Sequence, residues 1–407
     1  MLTSVSMPSF DSELAAELSQ LQAQGLQRSL RRLDSAQGPR VRHDGRSLLN
    51  FSSNDYLGLA THPALKEAAA RAAREFGAGA GASRLICGSL APHHQLEESL
   101  ASFKGTEAAL AFSTGYAAAL GTIGALLGKE DILIVDKLVH ACVLDAARVR
   151  GSNLRAFQHN DPQDLEDKLK WAVAQTRTPT PGGLTRPRIL IVTESVFSMD
   201  GDLAVLRDIV DLKDRYGAWL MLDEAHATGL FGEGRSGLAE AYELSDRIEI
   251  QMGTLGKALG AAGGYICGSR RLIDLLIHRA RSFMFSTAPV PAAVAAATAA
   301  IELVRGAEGE QLRQCLWQRV DAAKNAVIHA GWNLPPVQSP ILPLLIGPED
   351  AAVAIANGLR DDGLLLPAIR FPTVARGAAR LRLTVTAAHS AEDIEILGQA
   401  LSSRAPR

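Results

Sequence analysis

The sequence has little cysteine and no excess of charge of either sign, and both shortages exclude classes of protein. Its four cysteines, Cys87, Cys142, Cys267 and Cys315, are far apart and form no CxxC pair. This argues against a metal centre of the zinc type and against a disulfide framework, and it favours a reducing compartment. The formal net charge of -2 gives no reason to expect nucleic acid or an anionic membrane as a partner.

The sequence also lacks a long hydrophobic run. The first ten residues contain no basic region followed by an apolar segment, so no signal peptide is predicted. The most apolar long stretch, residues 289–304, is rich in alanine and contains Glu302, and it is too short and too weakly apolar to span a membrane. We therefore expect a cytoplasmic protein.

Apolar segments of strand length alternate with helical segments from about residue 106 onward. The predicted strands are 108–112, 132–135, 189–192, 219–222, 248–252 and 265–267, and the predicted helices include 116–127, 140–149, 203–216 and 271–281. Buried strands separated by helices indicate an α/β fold with a mostly parallel sheet that is flanked by helices. In such sheets, ligands bind beyond the carboxyl ends of the strands.

Both ends of the chain are predicted to lie outside this sheet. Residues 11–33 have the leucine spacing of an amphipathic helix. Near the other end, a strand, a helix and a strand are predicted at 341–346, 351–361 and 381–386, which suggests a smaller α+β unit. The resulting division is an N-terminal helix and arm (1–60), a large ligand-binding domain (61–290) and a small C-terminal domain (291–407).

A lysine follows one of the predicted strands. Lys257 lies in the segment GTLGKALG, just after residues 248–252, and small residues surround it. Desolvation or a neighbouring cation lowers the pKa of a lysine amine, which can then form a Schiff base with an aldehyde cofactor. A solvated loop lysine is the ordinary interpretation of such a residue taken alone, so the other strand ends are needed to decide.

An aspartate and a histidine end another strand, in WLMLDEAH. The Asp223 carboxylate could keep a cationic ring nitrogen protonated, which turns a pyridine ring into an electron sink, and His226 could reach an oxygen of that ring. As alternatives, Asp223 caps the next helix and His226 is a packed residue. The letters Asp-Glu-Ala-His also occur in helicases, but the chain has no GxxxxGK[ST] loop. The pattern Gly232-x-Gly234-x-x-Gly237 does not directly join a strand to a helix, so we reject the helicase and dinucleotide-binding interpretations.

Hydroxyl and imidazole groups follow other strands. The segment Ser113-Thr114-Gly115-Tyr116 opens a predicted helix, where backbone N–H groups and hydroxyls suit a phosphate. Thr254 and Ser198 offer further hydroxyls, and the His140 imidazole could stack on a flat ring. Each residue alone has an ordinary role as a turn or helix cap. Their common position at strand ends favours pyridoxal 5′-phosphate as the cofactor.

Six segments, in this order, resemble the α-oxoamine synthases: SSNDYLGL, FSTGYAAA, TESVFSMDGD, LMLDEAHATG, GTLGKALG and FSTAP. The resemblance extends over roughly residues 28–400. It implies the aspartate-aminotransferase fold (fold type I of the pyridoxal-phosphate-dependent transferases), a decarboxylating C-acyltransferase activity, and a homodimer with its active site at the subunit interface. The segments SPILPLLIG, PAIRFPTV and ARLRLTVTAAH further resemble the member that condenses L-alanine with pimeloyl-CoA, or with pimeloyl carrier protein, in biotin biosynthesis.

The resemblance also implies catalytic roles for four residues. Lys257 would carry the cofactor, and Asp223 would pair with its pyridine nitrogen. His140 would stack on the ring, and His226 would contact its phenolic oxygen together with Ser198.

The remaining implied residues bind the cofactor phosphate or the substrates. For the cofactor they are Gly115, Tyr116 and Thr254, with Ser286 and Thr287 reaching the phosphate of the neighbouring subunit. For the substrates they are Arg31, Asn54 and Arg382, of which Arg382 would hold the amino-acid carboxylate because a guanidinium offers it a two-point match. Arg380, on the same face of the predicted strand, competes for this role.

Three alternatives stay open at the level of sequence. The chain could be another α-oxoamine synthase that uses glycine or serine, a non-catalytic subunit of the same family, or an aminotransferase. The lysine, aspartate and histidine at the strand ends argue against a non-catalytic subunit.

Overall fold

The computed structural model of the protein describes residues 9–175 and 187–405. It begins with helix α1 (Phe10–Ala23), none of whose residues is buried. The predicted helix over residues 11–33 is therefore wrong beyond Ala23. Gly25 has a φ of +65°, and a left-handed glycine just after the last helical turn ends a helix.

An antiparallel pair of strands follows, β1 (Arg40–His43) and β2 (Arg46–Asn50), and then two helices, α2 (Pro63–Phe76) and α3 (Ala91–Lys104). After α3 the chain enters the central sheet. Its seven strands are β3 (Ala108–Phe112), β4 (Ile132–Asp136), β5 (Asn153–Phe157), β6 (Ile189–Glu194), β7 (Trp219–Asp223), β8 (Ile250–Thr254) and β9 (Gly264–Gly268), in the spatial order β3-β9-β8-β7-β6-β4-β5.

Strands β5, β4, β6, β7 and β8 pair in parallel, whereas β9 is antiparallel to both of its neighbours, β3 and β8. The mostly parallel sheet is thus confirmed. Strand β8 begins at Ile250, two residues later than predicted. Strand β5 was not predicted because it is an edge strand whose Arg155 and Ala156 are exposed, so its sequence lacks a continuous apolar run.

The helices cover both faces of the sheet. Successive side chains of a strand point to opposite faces, so the apolar side chains of these strands need cover on both. Ile132 and Ile134 of β4 pack in one hydrophobic cluster, whereas Leu133 and Val135 pack in another. The helices between the strands are α4 (Gly115–Leu126), α5 (Ala141–Arg150), α6 (Pro162–Gln175), α7 (Leu206–Tyr216) and α8 (Leu238–Ala241). Those after β9 are α9 (Arg270–Arg279), α10 (Arg281–Met284), α11 (Pro291–Arg305) and α12 (Ala307–His329). Residues of α4, α5 and α9 join the cluster of Leu133, and residues of α3, α6, α7 and α11 join the cluster of Ile132.

The smaller C-terminal part contains an antiparallel sheet of order β10-β13-β12. Its elements are β10 (Ile341–Gly347), α13 (Glu349–Asp361), β11 (Leu364–Leu365), β12 (Ala368–Ile369), β13 (Ala379–Thr384) and α14 (Ala391–Ser402). Strand β11 pairs in parallel with β2, so the N-terminal strands are joined to this part of the chain. The domain boundaries at residues 60 and 290 stay a prediction. Within the described residues, no helix is long and apolar enough to cross a membrane.

A fully buried ion pair involves Glu224, the residue that follows β7. The side chains of Lys104 and Glu224 are both 0% exposed and are in contact. The Lys104 amine also donates to the Ser236 carbonyl at 2.7 Å, and Glu224 accepts from the Ala239 N–H at 2.9 Å. This network fixes the residue next to Asp223 in the sequence.

We expect the substitution Lys104→Met to destabilise the protein, because it leaves a buried carboxylate without its cation. Losing one partner of a buried pair costs about 3–5 kcal/mol. The measurement is the free energy of unfolding in urea. The double substitution K104M/E224Q should recover part of the loss, since the remaining side chain is then uncharged. A loss below about 1 kcal/mol for K104M, within the range of an exposed pair, would contradict this assignment.

Candidate active site

A cavity of about 170 Å³ lies beyond the carboxyl ends of β6, β7 and β8. The structure brings seven of the predicted residues to its wall: Gly115, Tyr116, His140, Asp223, His226, Thr254 and Lys257. The position agrees with the rule that ligands of parallel sheets bind at this edge. These residues are up to 142 positions apart in the sequence, between Gly115 and Lys257, so only the fold unites them.

The register of the sheet aligns the ends of these strands. Glu194, the last residue of β6, is paired with Asp223, the last residue of β7, and Asp223 is paired with Met252 of β8. Lys257 lies in the loop between β8 and β9, in which Gly260 has a φ of +60°. A Cβ atom at Gly260 would lie 2.5 Å from the Ala60 backbone nitrogen. The glycine therefore lets this loop pack closely on the N-terminal part of the chain.

Lys257 is the centre of a hydrogen-bonded chain inside the cavity. Its Nζ atom is 2.7 Å from Nε2 of His226, and Nδ1 of His226 is 2.6 Å from the Tyr56 hydroxyl. Tyr56 in turn donates to Asn54 Oδ1 at 3.4 Å. Burial and then the charges of Lys257 and Arg382 lower the pKa of His226 well below its ordinary value. A neutral His226 that carries its proton on Nδ1 fits this chain, because Nε2 can then accept from the Lys257 amine.

Burial also shifts the pKa values of Lys257 and Asp223. It lowers the pKa of Lys257 to about 8, against the opposing charges of Asp223 and Glu194. It raises the pKa of Asp223, against the charge of Lys257 and the Ala225 N–H, which donates to Asp223 Oδ1 at 2.9 Å. An amine with this pKa has a substantial neutral fraction near neutral pH, which is the nucleophilic form.

His140 is the N-cap of α5, one residue before the helix begins. Its Nδ1 atom accepts from the Cys142 N–H at 3.3 Å and lies 3.1 Å from the Cys142 sulfur. Burial lowers the pKa of His140, partly offset by the Asp223 charge. Its imidazole therefore lies at the cavity as a largely neutral flat ring.

The N-terminus of α4 supplies the backbone donors that the sequence predicted. Thr114 caps the helix by accepting from the Ala117 N–H at 3.0 Å, and the first turn of a helix leaves N–H groups free to bind an anion. Gly264 permits close approach here, since a Cβ atom on it would lie 2.5 Å from the Gly115 nitrogen. The Thr254 hydroxyl donates to the Gly263 carbonyl at 2.9 Å.

Arg382 lies beside this cavity and is 5% exposed. It donates to the Ser198 carbonyl at 2.5 Å and to Asn54 Oδ1 at 3.0 Å. In the described part of the chain it forms no ion pair, whereas Arg380 is paired with Asp200. A buried guanidinium without a carboxylate partner is suited to a carboxylate ligand. The structure therefore favours Arg382 over Arg380 for that role.

Three predicted residues lie away from the Lys257 cavity. Arg31 lines a second cavity, of about 120 Å³, together with Arg360 and Arg370. Ser286 and Thr287 follow α10, where Thr287 forms an antiparallel bridge with Ser83. Their predicted role toward a neighbouring subunit requires a second chain and stays a prediction.

Two residues of the site were missed at the level of sequence, Tyr56 and Glu194. Both belong to segments that carried the family resemblance, SSNDYLGL and TESVFSMDGD. Glu194 could have been found from the strand-end rule, because it follows the apolar residues 189–192 by two positions. Tyr56 could not, since only the fold brings it to His226.

The loop that follows β6 is held by a histidine between two carboxylates. His159 Nδ1 is 3.0 Å from Asp136 Oδ1, and its Nε2 is 2.8 Å from Asp202 Oδ2. Although burial opposes protonation, the hydrogen bonds to Asp136 and then Asp202 raise the pKa of His159 to about 10. His159 is thus cationic at neutral pH and fixes the loop that contains Ser198.

We expect His159 to make stability depend on pH in a definite direction. A raised folded-state pKa stabilises the fold fully below the unfolded value of about 6.5, and this contribution falls to zero as the pH rises through about 10. The measurement is the melting temperature of the wild type minus that of the variant His159→Asn, from pH 6 to pH 10.5. The difference should shrink with rising pH. A difference that grows over this range would contradict the assignment.

Comparison with known proteins agrees with this geometry. The sequence profile of the family described as aminotransferase class I and II matches residues 46–401, so the chain belongs to this family. Its curated relatives include two 8-amino-7-oxononanoate synthases that are each 46% identical to it. The one from Anaeromyxobacter dehalogenans (strain 2CP-1) is matched over 97% of this chain and 95% of its own, and the one from Geobacter sulfurreducens over 94% and 95%.

Solved structures of serine palmitoyltransferases are similar to this chain over nearly its whole length. A serine palmitoyltransferase variant from S. paucimobilis, solved with bound PLP and myriocin, has a TM-score of 0.88 at 28% identity. The serine palmitoyltransferase of Sphingomonas wittichii has a TM-score of 0.88 at 30% identity, and each match covers 98% of both chains. The predicted fold class and the resemblance to the α-oxoamine synthases are therefore confirmed.

Proposed function

We propose that the chain catalyses the decarboxylative condensation of L-alanine with a pimeloyl thioester, which gives 8-amino-7-oxononanoate, carbon dioxide and the free thiol. The cofactor is pyridoxal 5′-phosphate, the thiol carrier is CoA or a carrier protein, and the product enters biotin biosynthesis. The observation that carries the proposal is Lys257, a buried amine whose pKa is lowered to about 8 beside Asp223 and His226. The identity of 46% to 8-amino-7-oxononanoate synthases supports the choice of substrates.

The donor set of the cavity fits this cofactor. An amine of lowered pKa suits an aldehyde, a buried carboxylate suits a pyridine nitrogen, and a helix N-terminus suits a phosphate. When bound, pyridoxal 5′-phosphate supplies an electron sink for a carbanion at the amino-acid Cα. The residues that would hold it are Lys257, Asp223, His140, His226 with Ser198, and the phosphate-side group of Gly115, Tyr116 and Thr254.

Lys257 also has the properties of the base in this reaction. Because burial lowers its pKa to about 8, its neutral amine can accept the α-proton of L-alanine near neutral pH. His226 accepts a hydrogen bond from the amine at 2.7 Å and so orients it. The carbanion then attacks the thioester carbonyl, the thiol leaves, and loss of the alanine carboxylate is followed by reprotonation.

Arg382 is the proposed partner of the alanine carboxylate, with Asn54 holding the guanidinium at 3.0 Å. Arg31 stays a proposed substrate residue. The cavity that Arg31 lines with Arg360 and Arg370 is distinct from the Lys257 cavity. If Arg31 binds the substrate, it would therefore contact a part of the substrate that lies outside the Lys257 cavity.

The active enzyme is proposed to be a homodimer. Ile86 and Phe285, which are 78% and 68% exposed, lie on the two segments that the bridge between Ser83 and Thr287 joins. Exposed apolar side chains grouped in this way are typical of a protein–protein interface. Ser286 and Thr287 lie in the same region, from which they would reach the phosphate held by the other subunit. Light scattering after gel filtration measures the mass in solution.

The decisive experiment is product identification. The purified protein is incubated with pyridoxal 5′-phosphate, L-alanine and pimeloyl-CoA, thiol release is followed, and the product is identified by mass spectrometry. We expect 8-amino-7-oxononanoate, and a parallel reaction with pimeloyl carrier protein compares the two acyl donors. Faster turnover of glycine or serine with another acyl-CoA would favour a different α-oxoamine synthase. Transfer of the amino group to an oxoacid without thiol release would indicate an aminotransferase.

A further inference from the structure

Glu194 is a buried carboxyl group at the cavity that the proposed reaction does not use. It is 2% exposed, it lines the cavity, and it is paired with Asp223 across β6 and β7. Its Oε2 atom accepts from the Ser198 N–H at 3.2 Å. Its Oε1 atom has no hydrogen-bond partner among the described residues, although it is shielded from solvent. A buried carboxylate oxygen without a donor is costly, whereas a protonated carboxyl group is not charged.

The charges around Glu194 also favour its protonated form. The groups that face it are Asp223 from β7, Lys257 from the loop after β8, Tyr56, and Cys142 from α5. Among these four groups Lys257 is the cation. Its positive charge acts on the Asp223 carboxylate as well as on Glu194. Burial and then the Asp223 charge raise the pKa of Glu194 to about 8, while Lys257 and the N–H groups of Ser198 and His140 act in the opposite direction.

We propose that Glu194 is a positioning residue that keeps a proton at neutral pH, so that Asp223 is the ionised carboxylate of the pair. Two neighbouring carboxylates that are both ionised would compete for the same cation. With Glu194 neutral, the negative charge stays on Asp223, where the proposed pyridine nitrogen would bind. The neutral carboxyl group still accepts from the Ser198 N–H and so holds the end of β6 and its Ser198 loop in place.

The inference rests on the proposed function for one of its two readouts only. The first readout is the protein without cofactor, whose infrared spectrum is recorded from pH 5 to pH 9. Glutamine has the shape of a neutral glutamic acid but cannot titrate, so a protonated-carboxyl band missing from the variant Glu194→Gln belongs to Glu194. We expect this band to persist at pH 7 and to disappear with a midpoint near 8. A band that is already absent at pH 7, as expected for a carboxyl group with the ordinary pKa of about 4.3, would overturn the proposal.

The second readout is the visible absorption of the protein after pyridoxal 5′-phosphate is added, titrated against pH. If Glu194 is neutral, E194Q removes no charge, and the midpoint of this titration should stay within about 0.3 pH unit of the wild type. If Glu194 is ionised, E194Q removes a negative charge next to a cation, and the midpoint should fall by about one unit or more. E194A removes the hydrogen bond as well and should weaken cofactor binding about tenfold.

Glu130→Gln, a substitution at an exposed glutamate, is the matched control for the loss of one carboxyl group. A variant E194Q that does not fold would also contradict the proposal, because a neutral isostere should be tolerated. Failure of the protein to bind the cofactor at all would remove the proposed function, but the infrared titration would still decide the protonation of Glu194.

Discussion

The substitution Lys257→Ala should reduce thiol release from pimeloyl-CoA in the presence of L-alanine by about 10⁴-fold or more, the scale of loss when one member of a set of catalytic residues is removed. The amine has two proposed functions, attachment of the cofactor and removal of the α-proton, and alanine can perform neither. The visible absorption of the cofactor-bound protein should change at the same time, since no covalent bond to the protein forms. Both the steady-state rate and the spectrum before and after borohydride treatment measure this.

The loss of activity in K257A must be distinguished from a folding defect. Lys257 is buried beside Asp223 and Glu194, so removing its positive charge also changes the electrostatics of the cavity. The variant should keep the circular dichroism spectrum of the wild type, and Lys129→Ala, at an exposed lysine, should keep full activity. A K257A protein that turns over near the wild-type rate would refute the role given to this amine.

Much of the fold could be predicted because its strands are buried on both faces. The segments 132–135 and 189–192, which lie within β4 and β6, are uniformly apolar, so they stand out from the amphipathic helices between them. The same property predicts from the sequence alone that Asp223 and Lys257 lie at one edge of the sheet. In contrast, β5 lies at the edge of the sheet, where Arg155 is exposed, and its sequence resembles that of a loop.

The limits of α1 illustrate a different cause of error. Residues 11–33 keep a leucine periodicity throughout, yet the helix ends at Ala23 because Gly25 adopts a left-handed conformation. A single backbone angle thus outweighed a pattern that extended over ten further residues. Periodicity reports which side chains share a face, and it does not report where hydrogen bonding stops.

The candidate site was predictable only where chemistry follows directly from strand position. Tyr56 reaches His226 across 170 residues, and no spacing rule connects the two. Arg382 and Arg380 are equivalent by alternation along β13, and their partners in three dimensions distinguish them. Arg380 is paired with Asp200, whereas Arg382 has no carboxylate partner among the described residues. Contributions from a second subunit, such as those proposed for Ser286 and Thr287, cannot be obtained from spacing within one chain.

The protonation proposed for Glu194 bears directly on what Asp223 does. If both residues of the pair were ionised, loss of one carboxylate would leave the other to take its place. If Glu194 is neutral, Asp223 alone provides the negative charge. The effect of neutralising Asp223 is then expected to be large.

The substitution Asp223→Asn should lower kcat by about 10²–10³-fold, the scale on which one preorganised electrostatic group contributes to catalysis. Asparagine keeps the shape and can still accept from the Ala225 N–H, which is 2.9 Å from Oδ1 in the wild type, but it carries no charge to keep a pyridine nitrogen protonated. Lys257 is intact in this variant, so covalent binding of the cofactor should persist, and binding and turnover should separate.

A cofactor analogue tests the reason for this loss. Pyridoxal phosphate methylated at the ring nitrogen is cationic at every pH and needs no carboxylate to hold a proton. The analogue should therefore raise the turnover rate of D223N, and it should not raise the rate of the wild type. Equal effects on both proteins would show that Asp223 acts by packing or orientation. The carboxylate would then have to be assigned a role that its charge does not explain.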